Sequence, residues 1–137
     1  MSGSAESAAL RRRTIIALAV VLAVGLASRR VEGLPEVLVD HAGDVSWAAA
    51  VVLGLGVLWP ARPPLVAAVG GFAIAVVVEM SQLWHPMWLD DLRANDAVAL
   101  VLGRGFLWGD LVRYAVGCGF GAIVLRLCVS TRVVSAS

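Results

Sequence analysis

Residues 65–83 read LVAAVGGFAIAVVVEMSQL, a stretch of 19 residues whose strongly polar members, Glu79, Ser81 and Gln82, lie near its end. A helix needs about 20 consecutive apolar residues to cross the hydrocarbon core of a bilayer. The segment before it, WPARPP at 59–64, contains three prolines and cannot continue an earlier helix. The stretch therefore predicts a transmembrane helix that follows a tight turn and carries polar side chains near its C-terminal end.

Three more apolar runs accompany this one, and together they predict an all-α bundle of four short transmembrane helices. Of the 137 residues, 60% are hydrophobic, and the mean hydropathy is +0.87, whereas soluble domains are about 45–50% apolar. Only helices and closed barrels satisfy the backbone in lipid, and these runs lack the alternation of barrel strands. The runs are Thr14–Ala27, Val45–Leu58 and Leu111–Val129.

The expected folded part is a single domain at residues 14–129, between a disordered cytoplasmic tail at 1–13 and a C-terminal tail at 130–137. Arg11–Arg13 and the short apolar run after them are also compatible with a secretory signal peptide. We favour a retained first membrane helix whose arginines reach toward the interface. Before the fourth run, Leu89–Leu102 mixes acidic and apolar residues, which predicts one helix lying in the interface.

Aromatic and basic residues set the expected orientation. All five tryptophans fall at or near the ends of the apolar runs, where indole rings form an aromatic belt. With a cytoplasmic N-terminus, six arginines lie inside and five outside, and the cluster at 11–13 strengthens this bias. We therefore expect a multi-pass protein of the bacterial cytoplasmic membrane, with both termini in the cytoplasm and both long polar loops outside.

Polar residues at the helix ends are expected to meet at one end of the bundle, which we call the rim. Glu79 and Gln82 are three residues apart and share a face at the end of the third helix. The fourth helix begins near Asp110, and Gly117 and Gly121 form a GxxxG on the same stripe, so a neighbouring backbone can approach closely. The other residues expected at the rim are Asp44, Arg93, Arg104, Arg113 and Tyr114.

Two interpretations of the rim are open. In the structural one, Arg104 or Arg113 neutralises Glu79 and Asp110 and fixes the third helix against the fourth. In the functional one, the rim binds a polar head group, or Glu79 or Asp110 acts as a general acid or base. The predicted binding residues are Asp44, Gln82, Arg93, Arg104, Arg113 and Tyr114.

The sequence gives little support to other classes of site. His41 and His85 have no cysteine nearby and make a poor zinc site. Cys118 and Cys128 lie ten residues apart on one helix and cannot bond to each other. The net charge of +1 and the lack of a basic face argue against nucleic acid as a partner. We therefore expect neither a cofactor nor a metal.

Several short motifs occur in order along the chain, and their set resembles the bacterial family catalogued as domain of unknown function 2809. The resemblance covers residues 14–125. The motifs are SRR at 28–30, LP at 34–35, GDxxW at 43–47, ExSQL at 79–83, LR at 92–93 and LGxGFxWxD at 102–110, followed by Tyr114 and Gly117.

A more distant resemblance is to the VanZ-like proteins, which have four membrane helices. Those proteins carry a Glu-x-x-Gln at the end of the third helix, then an Arg and an Asp entering the fourth, followed by glycines. The resemblance implies an envelope protein of the kind linked to low-level resistance to lipidated glycopeptide antibiotics. This chain departs from it with Tyr114 where Asn is typical, and without an Asp-Lys-x-x-His at helix two. The matching residues here are Glu79, Gln82, Arg104, Asp110, Gly117 and Gly121.

The function that we expect is that of a non-catalytic envelope protein, which binds a membrane lipid or a lipid-linked intermediate at an outward-facing rim. One alternative is a small membrane enzyme that uses Glu79 or Asp110 as acid or base. Another is a helix bundle that stabilises a membrane protein partner or forms a homo-oligomer.

Overall fold

The computed structural model describes residues 2–30, 35–103 and 105–134, and within these ranges the secondary structure is helical with no strand. The outcome agrees with the all-α class predicted from hydropathy. The helices are α1 (Ser2–Ser28), α2 (Glu36–Leu58), α3 (Pro64–Ser81), α4 (Met87–Arg93), α5 (Asp96–Leu102) and α6 (Trp108–Val134).

Three of the four predicted spans are long and apolar enough to cross a membrane. They are His41–Leu58 in α2, Pro64–Ser81 in α3 and Trp108–Ser130 in α6. In α1, by contrast, every stretch of 18 residues within Ser2–Ser28 contains Arg11–Arg13. The arginines therefore set α1 apart from the other long helices.

Helix α1 begins at Ser2, inside the segment for which the sequence predicts a disordered tail. The physical reason is the local composition of this segment, SGSAESAALRRR at 2–13, where Ala, Leu, Glu and Arg predominate. These residues have high helix propensity. Once the apolar run has formed a helix, each further residue extends it at little cost, since propagation is much easier than nucleation.

The long helices alternate in direction. The turn between α2 and α3 takes five residues, 59–63, and Pro64 occupies the first turn of α3, where its missing N–H costs nothing. Gly25 near the end of α1 lies against Ser46 in the middle of α2. Helices α2 and α6 are parallel neighbours at the centre, and α1 and α3 pack beside them. The rim is thus the end where α1 and α3 finish and where α2 and α6 begin.

Small residues allow the central helices to approach closely. A Cβ added at Gly117 would overlap the Val45 carbonyl oxygen and the Ala48 methyl group, and one at Gly121 would come within 2.9 Å of the Val52 Cβ. The GxxxG of α6 is therefore buried in the bundle as predicted, and its partner is α2. Lipid tails are as apolar as side chains, so close packing of this kind holds membrane helices together.

The predicted interfacial helix Leu89–Leu102 is wrong in its continuity, because the segment forms two short helices, α4 and α5. The break falls at Asn95. Its side-chain Oδ1 accepts hydrogen bonds from the N–H groups of Ala97, at 3.0 Å, and Val98, at 3.3 Å. Asn is a strong N-cap residue, and it starts a new helix here by satisfying donors that the helix itself leaves free.

The packing of α6 on α2 gives a matched pair of substitutions. Gly117→Ala is expected to lower the free energy of unfolding by about 1–3 kcal/mol, because the new methyl group meets a backbone carbonyl that cannot move easily. Gly119→Ala, two residues away, projects into open space and should leave stability unchanged or slightly raised. Thermal unfolding of the purified protein in detergent measures both, and equal shifts would contradict the close approach of α6 to α2.

Candidate functional site

Glu79 links the end of α3 to the beginning of α6. Its side chain is fully buried, with 0% of its surface exposed. Its Oε1 accepts a hydrogen bond from the Leu107 N–H at 2.8 Å, and its Oε2 accepts one from the Tyr114 hydroxyl at 3.2 Å. A buried carboxylate is stable only when hydrogen bonds replace its hydration. Glu79 thereby fixes the backbone just before α6 against α3.

The structure excludes Arg113 as the partner of Glu79. Among the described residues no cation lies within ion-pair distance of it, and both observed donors are neutral. Arg113, one of the two expected partners, pairs with Asp110 as expected but not with Glu79, and Arg104 lies outside the described residues. The connection of α3 to α6 at the rim is therefore made by a hydroxyl and a backbone amide.

Arg113 instead joins α6 to α2. Its Nη1 donates to Asp110 Oδ1 at 2.6 Å and to Asp44 Oδ2 at 3.0 Å. The three side chains are only partly exposed, 23% for Arg113, 21% for Asp44 and 11% for Asp110. Charge-assisted hydrogen bonds are stronger than neutral ones, and partial burial reduces screening. This guanidinium therefore fixes the first two turns of α6 against the third turn of α2.

Gln82 holds the end of α5. Its Nε2 donates to the Leu102 carbonyl oxygen at 2.8 Å. The next residue, Gly103, has a φ of 67°, and a Cβ there would overlap the Gln82 amide. Glycine is thus required twice, for its backbone conformation and for space. Gln82 Oε1 is buried without a hydrogen-bond partner among the described residues.

Arg93, expected in the binding site, lies apart from it. Its guanidinium is buried, with the residue 5% exposed, and donates to the carbonyl oxygens of Ser81, at 2.6 Å, and Trp84, at 3.0 Å. The last carbonyls of a helix lack partners within the helix. The Arg93 guanidinium takes up this role at the end of α3, and so it stabilises the chain reversal that leads into α4.

A cavity of about 450 Å³, the rim cavity, opens at this end of the bundle. Four of the predicted site residues line it, Asp44, Gln82, Asp110 and Tyr114. Glu79 lies behind Tyr114, and Arg113 lies behind the two aspartates. The helix-packing glycines, Gly117 and Gly121, lie deeper between α2 and α6. The lining residues that the sequence analysis missed are Arg29, Trp47, Asp96, Ala99, Leu100, Val101, Gly103 and Gly105.

For two of the missed lining residues, Arg29 and Trp47, the sequence does indicate a position at the rim. Arg29 follows the first apolar run, and the end of that run must lie at the same rim as the end of α3 if the helices alternate. Trp47 is three residues from Asp44, so it shares its face of α2. Its ring centroid lies 5.4 Å from that of Tyr114. The wall formed by α5 had no such signal, because it depends on how the segment between α3 and α6 folds back.

The described residues contain no group of three or more His, Cys, Asp or Glu side chains placed to hold a metal ion. His85, in the turn before α4, makes a local contact, with its Nδ1 3.1 Å from Asp90 Oδ1. Cys118 is buried inside the bundle. The chemistry available at the rim is therefore that of carboxylates, a guanidinium, an amide and a phenol.

Comparison with known proteins identifies one family. A family model described as "Protein of unknown function (DUF2809)" matches residues 33–118, which run from the start of α2 into the first half of α6. The match includes Asp44, Gln82 and Asp110 of the rim cavity, and Arg29 precedes it. It confirms the resemblance drawn from the ordered motifs. No solved structure matches the chain.

The contacts of Glu79 predict a graded response to substitution. Glu79→Ala leaves the Leu107 N–H and the Tyr114 hydroxyl without an acceptor, at a cost of about 1–3 kcal/mol for each group. Glu79→Gln keeps an acceptor for Leu107 and can donate to the Tyr114 oxygen, so we expect a loss below about 1 kcal/mol. Unfolding in detergent compares the two, with the exposed neighbour Met80→Ala as the control. A Glu79→Gln protein as unstable as Glu79→Ala would show that the charge itself is required.

Proposed function

Because the chain belongs to the DUF2809 family of proteins of unknown function, we propose its role from the geometry of its site: it is a non-catalytic protein of the bacterial envelope that binds a lipid or lipid-linked intermediate at the rim. The observation that carries this proposal is the rim cavity. It opens where the apolar helices end, and its wall combines Asp44, Gln82 and Asp110 with Trp47 and the apolar side of α5.

The position of the cavity favours an amphipathic ligand. Helix ends lie at the level of the lipid head groups when a helix spans the hydrocarbon core. Ligand sites in proteins are mostly apolar, with a few polar groups that fix the orientation of the ligand. Here Leu100 and Val101 form an apolar side and the aspartates a polar side, so a molecule with both kinds of surface would match the wall.

Binding is favoured over catalysis by the burial of Glu79. A general acid or base must come within hydrogen-bond reach of the reacting group. The Glu79 side chain is enclosed and both of its oxygens accept hydrogen bonds from the protein. Asp110 does line the cavity, and its Oδ1 is held by Arg113. These carboxylates thus support the shape of the site, and Asp110 is the candidate that an enzymatic role would need.

We further propose that α1 is a fourth membrane helix. At about 1.5 Å per residue its 27 residues extend roughly 40 Å. It packs along α2, and its contacts run from Leu10 and Thr14, both buried, to Gly25. A helix that stays beside a membrane-spanning helix over this length shares its environment. Arg11–Arg13 then lie in the cytoplasmic half, in accordance with the positive-inside rule.

The lipid-binding proposal predicts a loss of bound lipid when the rim cavity is filled. Ala99→Phe places a large ring in the cavity without changing a polar group, so lipid that stays bound to the native protein through purification should be lost. Ala73→Phe, on the exposed face of α3, adds the same ring outside the cavity. Extraction of the purified proteins and mass spectrometry of the lipids measures the difference. Equal lipid content in the two variants would contradict the proposal.

The four-span topology predicts that the two ends of α1 lie on opposite sides of the membrane. Both native cysteines, Cys118 and Cys128, are first replaced by Ala. A single cysteine at Ala5 then reports the side on which α1 begins, and one at Ala94, at the rim, reports the side on which α1 ends; both positions are exposed. A membrane-impermeant maleimide should label Ala94→Cys in intact cells and Ala5→Cys only after permeabilisation. Labelling of both from outside would exclude α1 as a span, and the opposite pattern would reverse the orientation.

A further inference from the structure

A second, apolar cavity adjoins the rim cavity. It has a volume of about 230 Å³ and lies between α1, α2 and α5; we call it the side groove. Leu22 and Leu26 of α1 form one wall, and both side chains are exposed on the outside of the bundle. The side groove shares its remaining apolar wall with the rim cavity, through Trp47, Leu100 and Val101. The two cavities therefore form one continuous surface that is polar at one end and apolar at the other.

Arg29 stands where the two cavities meet, since it lines both. Its guanidinium lies directly on Gly43, where a Cβ would come within 2.7 Å of Nη2. Among the side chains that the structure describes, which leave out those of residues 31–34 and 36–40, no carboxylate lies within ion-pair distance of Arg29. Arg29 is thus an exposed cation, positioned by close contact with the α2 backbone, that can accept an anion from a ligand.

Beyond Arg29, the wall of the rim cavity offers hydrogen-bond acceptors. Asp44 accepts a hydrogen bond from Arg113 through Oδ2, and its side chain, 21% exposed, lines the cavity. Gln82 is 3% exposed, and its Oε1 has no hydrogen-bond partner among the described residues. A buried acceptor without a donor is costly. This wall therefore suits a ligand group that carries positive charge and several N–H donors.

The order of these features along the surface identifies the class of ligand. From outside to inside they are an apolar groove, a guanidinium and a carboxylate. We propose that the ligand is a phospholipid whose head group ends in a primary ammonium, with its chain in the side groove, its phosphate on Arg29 and its ammonium on Asp44. Arginine binds phosphate through two parallel hydrogen bonds, and an ammonium supplies three donors. This assignment rests on the proposed lipid-binding function and specifies its ligand.

The assignment predicts a ranking among head groups. A phosphoglycerol head group keeps the phosphate and replaces the ammonium by neutral hydroxyls. A phosphocholine head group keeps the positive charge and has no N–H donor. A polyprenyl phosphate has only its phosphate, with no ammonium and no hydroxyl groups. All of these lipids offer a phosphate to the Arg29 guanidinium. The ammonium-bearing lipid alone also offers the Asp44 carboxylate a positive charge with N–H donors.

The first experiment needs no variant. The full chain, purified in detergent and stripped of lipid, is titrated with dioleoyl phosphatidylethanolamine, phosphatidylcholine, phosphatidylglycerol and undecaprenyl phosphate, and occupancy is read by native mass spectrometry. We expect phosphatidylethanolamine to bind about tenfold more tightly than the other three, as one additional charge-assisted hydrogen bond would give.

Two variants separate the subsites. Arg29→Gln removes the phosphate contact at an exposed position, and so should weaken all four lipids by about tenfold. Asp44→Asn should lower only the affinity for phosphatidylethanolamine, to the level of phosphatidylglycerol. The control is Arg12→Gln, an exposed arginine at the opposite end of α1, which should change nothing. If Asp44→Asn fails to fold because Arg113 loses a partner, the order of the four lipid affinities on the native protein tests the ammonium assignment, and Arg29→Gln tests the phosphate assignment.

The outcomes distinguish this proposal from the one on which it rests. If none of the four lipids binds, the lipid-binding function itself is overturned. If lipids bind but show no preference for phosphatidylethanolamine, or prefer an anionic lipid, the ammonium assignment is wrong while lipid binding stands. If Arg29→Gln behaves as Arg12→Gln does, the phosphate does not lie at Arg29.

Discussion

The requirement that a buried carboxylate be fully hydrogen-bonded organises this molecule. Glu79 lies in an otherwise apolar helix and is completely enclosed, so its two oxygens must find donors inside the protein. They find them in the Leu107 N–H and the Tyr114 hydroxyl, which belong to the loop before α6 and to its second turn. Those two contacts set the height and rotation of α6 against α3. They also place the Tyr114 ring against Trp47, and so shape the floor of the rim cavity.

The polar residues of the rim divide into those that build the backbone and those that face the cavity. Arg93, Gln82 and Asn95 each satisfy main-chain groups of the segment between α3 and α6. Irregular backbone near a membrane is stable only where such partners exist. Asp44 and Arg29 have side chains that reach the cavity, and Gln82 belongs to both groups because it also lines the cavity. A list of charged residues near helix ends therefore contains both groups, and burial separates them.

The packing of α2 on α6 couples the interior of the bundle to the rim. Gly117 and Gly121 let the two backbones come together near Val45 and Ala49. One turn further toward the rim, this proximity brings Arg113 within reach of Asp44, 69 residues away in the chain. The ion pair is thus a consequence of small residues deeper in the membrane. It fixes the first two turns of α6 against the third turn of α2, on which the polar wall of the cavity depends.

The sequence by itself determined the helical class, three of the long apolar helices, the turn at 59–63 and the burial of the GxxxG face, because each follows from local composition and from the 3.6-residue period. It also placed Asp44, Gln82, Asp110 and Tyr114 at one rim, since alternating helices bring their ends together. Only the tertiary structure decided the partners. Glu79 took two neutral donors, Arg113 bridged to α2, and Arg93 bound carbonyl oxygens. Hydropathy indicates which segments leave water for the bilayer. A hydrogen bond between remote segments depends on the distance between its two atoms, and only the folded arrangement fixes that distance.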